Sequence, residues 1–451
     1  MVEKIFGTDG VRGVANVYPM DGETAMRLGR AAAYIFKKGR ERRHRIVIGK
    51  DTRLSGYLIE FALASGICSM GVDVTFVGPL PTPGIAFITR GLRADAGIVI
   101  SASHNPYMDN GIKFFDHTGH KLPDDIEAAI EHLVASGEID SIRPTAEEVG
   151  SAFRVEDAVG RYVSYLKTAL SAQNDLEGLR MVIDCGNGAA YKVAPAVFSE
   201  LGAETIVIND SPDGTNINDA CGSTHPEAMR EAVRAYRADL GVAFDGDGDR
   251  LIMADAHGEI VDGDHIMAIA AIAMKEKGEL RGNTVVATVM SNLGLEVCLR
   301  DHGITLRRAP VGDRYVMEEM LHDDLNLGGE QSGHIIFRDW NTTGDGVLTA
   351  LRILDICRTT GRSLADLSAV MKDYPQVLRN LSVKTKPPLA ELPAVTAAIA
   401  DAEAALGDRG RVLVRYSGTE PKARVMVEGE EEAAVARLAD RIAETLAAAI
   451  G

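Results

Sequence analysis

Three carboxylates, Asp245, Asp247 and Asp249, fall within the stretch VAFDGDGDRLIM (Val242 to Met253), directly after the apolar run Leu240 to Phe244. Like charges this close repel one another unless a cation lies among them. The alternate spacing can turn all three side chains to one side, and Gly246 and Gly248 let the backbone bend tightly. Asp and Gly are also ordinary turn residues, and D-x-D-x-D opens a calcium EF-hand. The calcium reading fails on spacing: Arg250 stands where that loop needs Gly, and Ala256 where it needs Glu. Hard oxygen ligands with room for a further oxygen suit Mg²⁺, which typically combines carboxylates with phosphate oxygens. The stretch reads as a metal site for phosphate chemistry.

A serine supplies a place for that phosphate. The strand-like AGIVI (Ala96 to Ile100) runs into SASHNPYMDNGIKFF, with Ser103 beside His104 and Asn105-Pro106 forcing a turn. No G-x-S-x-G surrounds it, so it is not the nucleophile elbow of hydrolases. Lys113 adds a cation nearby in sequence. A serine near a metal, a His and a Lys can hold and pass on a phosphoryl group, whose oxygens the metal and cations neutralise. Two further loops fit a sugar phosphate. GGEQSGHII (Gly328 to Ile336) places Glu330, Ser332 and His334 in a Gly-flexed loop suited to a polyhydroxy ligand. RYSGTEPKAR (Arg415 to Arg424) is a turn whose small residues expose backbone N–H groups between two arginines, the construction of a phosphate cradle. Each loop alone could be a solvated turn; four together, one per proposed unit, point to one substrate.

Those loops need elements to hold them. A chain of 451 residues suggests three or four domains, and 46% hydrophobic with 25% charged residues is a globular composition. No apolar run reaches the roughly 20 residues of a membrane span, and MVEKIFGTDG lacks the apolar core of a signal peptide. Five scattered cysteines, never spaced C-x-x-C, fit buried thiols in a reducing cytoplasm better than disulfides or zinc. A pI near 5.2 argues against nucleic acid as a partner. Three segments repeat one plan of strand, loop, helix, Gly and second strand: IVIGKDTRLSG with Gly71, MVIDCGNGAA with Gly202, and VVATVMSNLG with Gly303. Each leaves room for a crossover helix, so three α/β domains with mixed, mostly parallel sheets are predicted over residues 1–155, 156–256 and 257–371. In residues 372–451, LSVKTK, ELPAVTAAIADAEAAL, RVLVRYS, ARVMVEG and EEAAVARLADRIAETLAAAI predict a β-α-β-β-α unit of α+β class, joined by a linker around Lys372 to Leu378.

SASHNP, DGDGDR, GEQSGH and RYSGTEP, in this order, resemble the α-D-phosphohexomutase superfamily, and the likeness runs from GTDGVRG to the final helix. The resemblance implies three related α/β domains and a C-terminal domain of the TATA-box-binding-protein-like class around a central cleft. It implies that Ser103 is a phosphoserine, that Asp245, Asp247 and Asp249 with the Ser103 oxygen bind one Mg²⁺, and that Arg12, His104, Lys113 and His334 serve proton transfer and charge neutralisation. Arg250, Glu330 and Ser332 would contact the sugar, and Arg415, Ser417, Gly418, Thr419 and Arg424 the distal phosphate. GGEQSGH in place of GEMSGH, and the run GHIIFRDWNTTGDGVLTALRIL, favour an amino sugar. The implied reaction interconverts glucosamine 6-phosphate and glucosamine 1-phosphate through a bisphosphorylated intermediate, feeding UDP-N-acetylglucosamine and peptidoglycan precursors; mannose and glucose phosphates are the alternative substrates. Relatives suggest a homodimer. A Mg²⁺-dependent phosphatase would share these loops and differ by releasing free phosphate instead of an isomer, whereas the intact serine and triple Asp disfavour a non-catalytic sugar-phosphate-binding protein.

Overall fold

The computed structural model describes residues 4–7, 9–37, 43–416 and 422–450. They divide into two compact units, Met1–Val289 with Leu306–Ser368, and Met290–Thr305 with Ala369–Gly451.

The described residues of the larger unit form three sheets. The first has seven strands, in the order Phe6–Gly7, Gly10–Val14, Asp109–Asp116, Ala96–Ile100, Arg45–Lys50, Asp73–Pro79 and Ala152–Arg154. Arg45–Lys50 lies parallel to both its neighbours, while Asp109–Asp116 runs antiparallel to Ala96–Ile100 and to Gly10–Val14. The second sheet runs Ile260–Val261, Leu251–Asp255, Leu240–Phe244, Arg180–Asp184, Glu204–Ile208, with its last three strands parallel. The third runs Thr305–Ala309, Thr284–Thr288, Leu327–Gly329, Ile335–Phe337. AGIVI and LGVAF are buried at every position, which is why they read as unbroken apolar runs: helices cover both faces of such strands. In the first layer Leu28, Leu63, Ile46, Ile48, Ile98 and Ile112 share one core.

The three repeats fold as the sequence predicts. Helices Gly56–Cys68, Val193–Glu200 and Leu293–Asp301 each lie between the two strands of their repeat. Gly71, Gly202 and Gly303 have φ of 78°, 98° and 65°, so each repeated glycine reverses the chain out of a helix where a side chain would be strained. All five cysteines are free thiols, and among the described residues no helix is long and apolar enough to cross a membrane.

The smaller unit has the predicted β-α-β-β-α order, with one displacement. Its first strand is Gln376–Ser382, not LSVKTK, and the expected linker Lys372 to Leu378 therefore already contains the strand's start. QVLRNLS pairs along its whole length with Lys422–Gly429, from Gln376 opposite Glu428 to Ser382 opposite Lys422. That continuous ladder outweighs the alternation of LSVKTK, which runs towards Pro387-Pro388 and cannot extend as a strand there. Helix Leu293–Asp301 belongs to this unit too; Arg411 Nη2 donates to the Ser291 carbonyl at 2.6 Å and Asn292 Nδ2 to that of Tyr374 at 3.0 Å.

Candidate active site

Leu240–Phe244 and Leu251–Asp255 are antiparallel neighbours with Phe244 opposite Leu251, so the acidic stretch is the loop closing their hairpin. All three carboxylates are buried, and one oxygen from each lies within 4.8 Å of the others. Their hydrogen bonds differ. Asp245 Oδ2 accepts from Ser103 Oγ (2.7 Å) and Oδ1 from the Arg250 N–H (3.2 Å). Asp247 Oδ2 accepts from Thr82 Oγ1 (2.7 Å) and Lys113 Nζ (3.0 Å). Asp247 Oδ1 and Asp249 Oδ1 are buried with no hydrogen-bond partner. Unsatisfied buried carboxylate oxygens are costly, and a hard divalent cation is the partner they fit. Burial, with the Asp249 and Asp247 charges, pushes the Asp245 carboxyl well above the ordinary range. Burial acts on Asp247 in the same sense, but Lys113 and Thr82 hold it below that range.

The two glycines serve different needs. Gly248 has a left-handed φ of 68°. Gly246 has room for nothing: a Cβ there would lie 2.6 Å from the Ser103 carbonyl oxygen.

Ser103 is buried and itself left-handed, with φ 53°, a conformation that costs a serine about 1 kcal/mol or more. Besides Asp245, its Oγ lies 3.2 Å from His104 Nδ1. Burial, with Arg250 and Arg12 nearby, lowers His104 to about 4, so its ring is neutral at pH 7. Lys113 arrives from Asp109–Asp116, the antiparallel partner of the strand that ends before Ser103. Ile112 and Phe114 point into the core, so strand alternation turns Lys113 to the opposite face. Burial would lower the Lys113 amine, but Asp247, Asp9 and Asp249 raise it above the ordinary range.

From Lys113 the charges alternate along a chain that ends at Asp249. Lys113 meets Asp9 at 3.2 Å; Asp9 also pairs with Arg12 and, at 2.5 Å, with Lys121. Lys121 meets Asp313 at 2.5 Å, and Asp313 lies 3.4 Å from His334 Nε2, whose Nδ1 is 3.5 Å from Asp249. Burial lowers His334, yet Asp249, Asp313 and Glu330 push it up to about 9. The Gly344 N–H points at the same Nε2 (3.0 Å) and favours a neutral ring. Two carboxylates outweigh one amide dipole, so the imidazole is raised despite that donor. Glu330 Oε1 accepts from the Gly312 N–H, Ser332 is exposed, and Arg250 Nε lies 4.0 Å from Asp249. The structure therefore gathers Ser103, His104, Lys113, Arg12, His334, Arg250 and the three Asp in one unit.

In the smaller unit Arg415 and Arg424 are cross-strand partners on Gly410–Tyr416 and Lys422–Gly429. Burial and the Arg424 charge lower Arg415. Like charges directly opposite destabilise a sheet, and an anion bound at the pair relieves that. Ser417, Gly418 and Thr419 lie outside the described residues.

Sequence reasoning missed several charges. Asp51 and Arg53 in KDTRLSG, Asp9 in GTDG, Lys121, and Asp313 just after APVG are not singled out by any motif above. Asp9 and Asp51 flank strands of the first sheet, while Asp313 opens the helix Asp313–His322, so no single sequence signal joins them.

Models of the phosphoglucomutase/phosphomannomutase family match almost the whole chain: alpha/beta/alpha domain I over residues 3–140, domain II over 160–258, domain III over 262–374 and the C-terminal domain over 378–445. The chain belongs to this family. Phosphoglucosamine mutases of Pelobacter propionicus and Geobacter metallireducens are 58% and 59% identical to it, over 100% of this chain and 99% and 100% of theirs. A phosphoglucomutase/phosphomannomutase family protein from Burkholderia thailandensis shares its fold with a TM-score of 0.82 at 27% identity, covering 99% of this chain and 97% of that one. Aspergillus fumigatus N-acetylphosphoglucosamine mutase, solved with GlcNAc-6P and magnesium, gives 0.61 at 18% identity, over 81% of this chain and 92% of that one. Family membership implies a metal and a phosphoserine, and the buried Asp cluster is consistent with both.

Proposed function

We propose that the chain is an isomerase interconverting glucosamine 6-phosphate and glucosamine 1-phosphate. Ser103 carries the phosphoryl group, gives it to the sugar, and takes the other one back from a bisphosphorylated intermediate. The observation that carries this reading is the 2.7 Å contact between Ser103 Oγ and Asp245 Oδ2, which sets a hydroxyl against a buried carboxylate cluster with two unsatisfied oxygens. Full-length relatives named phosphoglucosamine mutase support the sugar.

Asp245, Asp247 and Asp249 would hold one Mg²⁺, which when bound neutralises charge on the transferred phosphoryl oxygens. Lys113 and Arg12 add fixed positive charge beside it. Neutral His104, with Nδ1 on Ser103 Oγ, accepts the serine proton when that hydroxyl takes a phosphoryl group. Glu330 and Ser332 contact the sugar, with Arg250, while Arg415, Arg424 and the turn Ser417, Gly418, Thr419 hold the phosphate that is not reacting. The domains follow the boundaries 155/156, 256/257 and 371/372. The free thiols suit a reducing cytoplasm. Tyr57, Leu58 and Phe61, exposed on the helix Gly56–Cys68, with the exposed Leu54 just before it, give a homodimer an apolar face to bury.

The test is a product assay with glucosamine 6-phosphate, Mg²⁺ and a trace of bisphosphorylated sugar. Glucosamine 1-phosphate formation supports the reading. Release of inorganic phosphate alone would mean a phosphatase, and faster turnover of mannose or glucose phosphates would reassign the sugar.

A further inference from the structure

Ser103 holds an uncommon backbone conformation, and no regular sheet ladder accounts for its position. Its peptide groups are held by side chains instead. The Ser103 N–H donates to Ser101 Oγ (2.9 Å), and Ser101 donates to Asp51 Oδ2 (2.6 Å). The Ser103 carbonyl receives two donors from different loops. Arg53 Nη2 reaches it at 2.8 Å and the Asn105 carbonyl at 2.9 Å, while Arg53 Nη1 reaches the Pro106 carbonyl at 2.7 Å. Asn218 Nδ2 reaches the same Ser103 and Asn105 carbonyls at 2.9 and 3.1 Å.

The two donors come from different layers. Arg53 follows a strand of the first sheet, is fully buried, and is fixed from behind by Asp51 at 2.9 Å. Asn218 comes from the loop after the second sheet's Glu204–Ile208, and its N–H donates to the Gly186 carbonyl at 2.9 Å. Its own Oδ1 is buried without a hydrogen-bond partner. An amide that leaves its oxygen unsatisfied while both protons face carbonyls is oriented for its donors; the flipped amide would set three oxygens together.

We propose that Arg53 and Asn218 are positioning residues that clamp the Ser103 backbone between the two sheets and so fix the serine oxygen against the Asp cluster. Arg53 ties the loop to its own sheet. Asn218 registers it to the sheet that carries Asp245, Asp247 and Asp249. Neither touches the sugar, so their loss misaims the transfer without weakening substrate binding. This rests on Ser103 as the phosphoryl carrier.

The experiment compares full-length parent, Asn218→Ala, Asn218→Asp and Arg53→Lys by intact mass, melting temperature, Mg²⁺ titration and steady-state kinetics normalised to folded protein. Asn218→Ala should lower kcat about ten- to a hundredfold, leaving KM for glucosamine 6-phosphate and Mg²⁺ affinity within about threefold. Asn218→Asp, which sets a carboxylate against two carbonyls, should lose more. Arg53→Lys keeps the charge facing Asp51 but cannot span three carbonyls, and should show the same kcat-selective loss. If Arg53→Lys fails to fold, the two Asn218 variants decide. Parental kcat per folded molecule in phosphorylated Asn218 variants overturns the clamp alone. A parent that turns over with no phosphate on Ser103 overturns the phosphoserine reading, and the clamp with it.

Discussion

Replacing Gly246 by Ala adds one methyl group at the closest approach between the metal loop and the serine loop. Its Cβ would lie 2.6 Å from the Ser103 carbonyl oxygen, 2.8 Å from Asn218 Nδ2 and 2.8 Å from Ile217 Cδ1. Ordinary contact begins near 3.4 Å, so the loops must part by about 0.8 Å at the carbonyl, because overlap at that range is steeply repulsive. Gly246 is not among the left-handed residues, so alanine adds no backbone strain and the whole effect is steric. Overpacking of this kind costs roughly 1–3 kcal/mol of stability. The kinetic effect should be of comparable size, since a displacement of about 1 Å in a reacting group costs on the order of a hundredfold. A coupled assay for glucosamine 1-phosphate should therefore show kcat down about thirty- to a hundredfold, with KM little changed, and calorimetry a lower melting temperature. Parental kcat and melting temperature would refute the close packing of the two loops.

Other outcomes follow from the same geometry. Asp245→Asn should abolish turnover yet raise the metal-free melting temperature at pH above the raised Asp245 value, where it removes a charge that the cluster resists; an unchanged or lower melting temperature there counts against that. Asp247→Asn should do the reverse to stability, costing about 3–5 kcal/mol by leaving Lys113 buried without its nearer carboxylate, as urea unfolding would show. Because the folded Asp245 pKa is raised, the metal-free protein should lose stability as pH climbs through that value, and Mg²⁺ binding should release a proton and tighten with pH over the same window. Calorimetric titration in buffers of differing ionisation enthalpy reads this directly, and no proton release would contradict it. Arg415→Ala or Arg424→Ala should lower kcat/KM roughly ten- to a hundredfold, mainly through KM. Neither should lower the melting temperature, since each relieves a like-charge pair.

The parts of the site that lie on regular elements were legible in the sequence. LGVAF before the Asp run and AGIVI before Ser103 announce buried strands by their unbroken apolarity, and the loop chemistry follows them directly. Lys113 could be read as a nearby cation, but its aim at Asp247 depends on the strand partner of Ala96–Ile100, which sequence spacing does not specify. Gly246 and Gly248 look alike in a sequence. Only the structure separates a φ requirement from a steric one. The charges of Asp9, Lys121 and Asp313 were illegible for a different reason: they are far apart in the chain, and burial of such groups is visible only once their partners are in place. The first strand of the smaller unit was misplaced because QVLRNLS is partly polar and gains its strand character from pairing with Lys422–Gly429.

The claim on which everything rests is that Ser103 carries a phosphoryl group and hands it to a sugar. Enzyme loaded with labelled phosphate and mixed once with unlabelled glucosamine 6-phosphate tests it. The label should be on Ser103 at the start, absent in Ser103→Ala, and recovered in bisphosphorylated and monophosphorylated glucosamine. Label appearing as inorganic phosphate, or turnover by Ser103→Ala at the parental rate, would contradict the account.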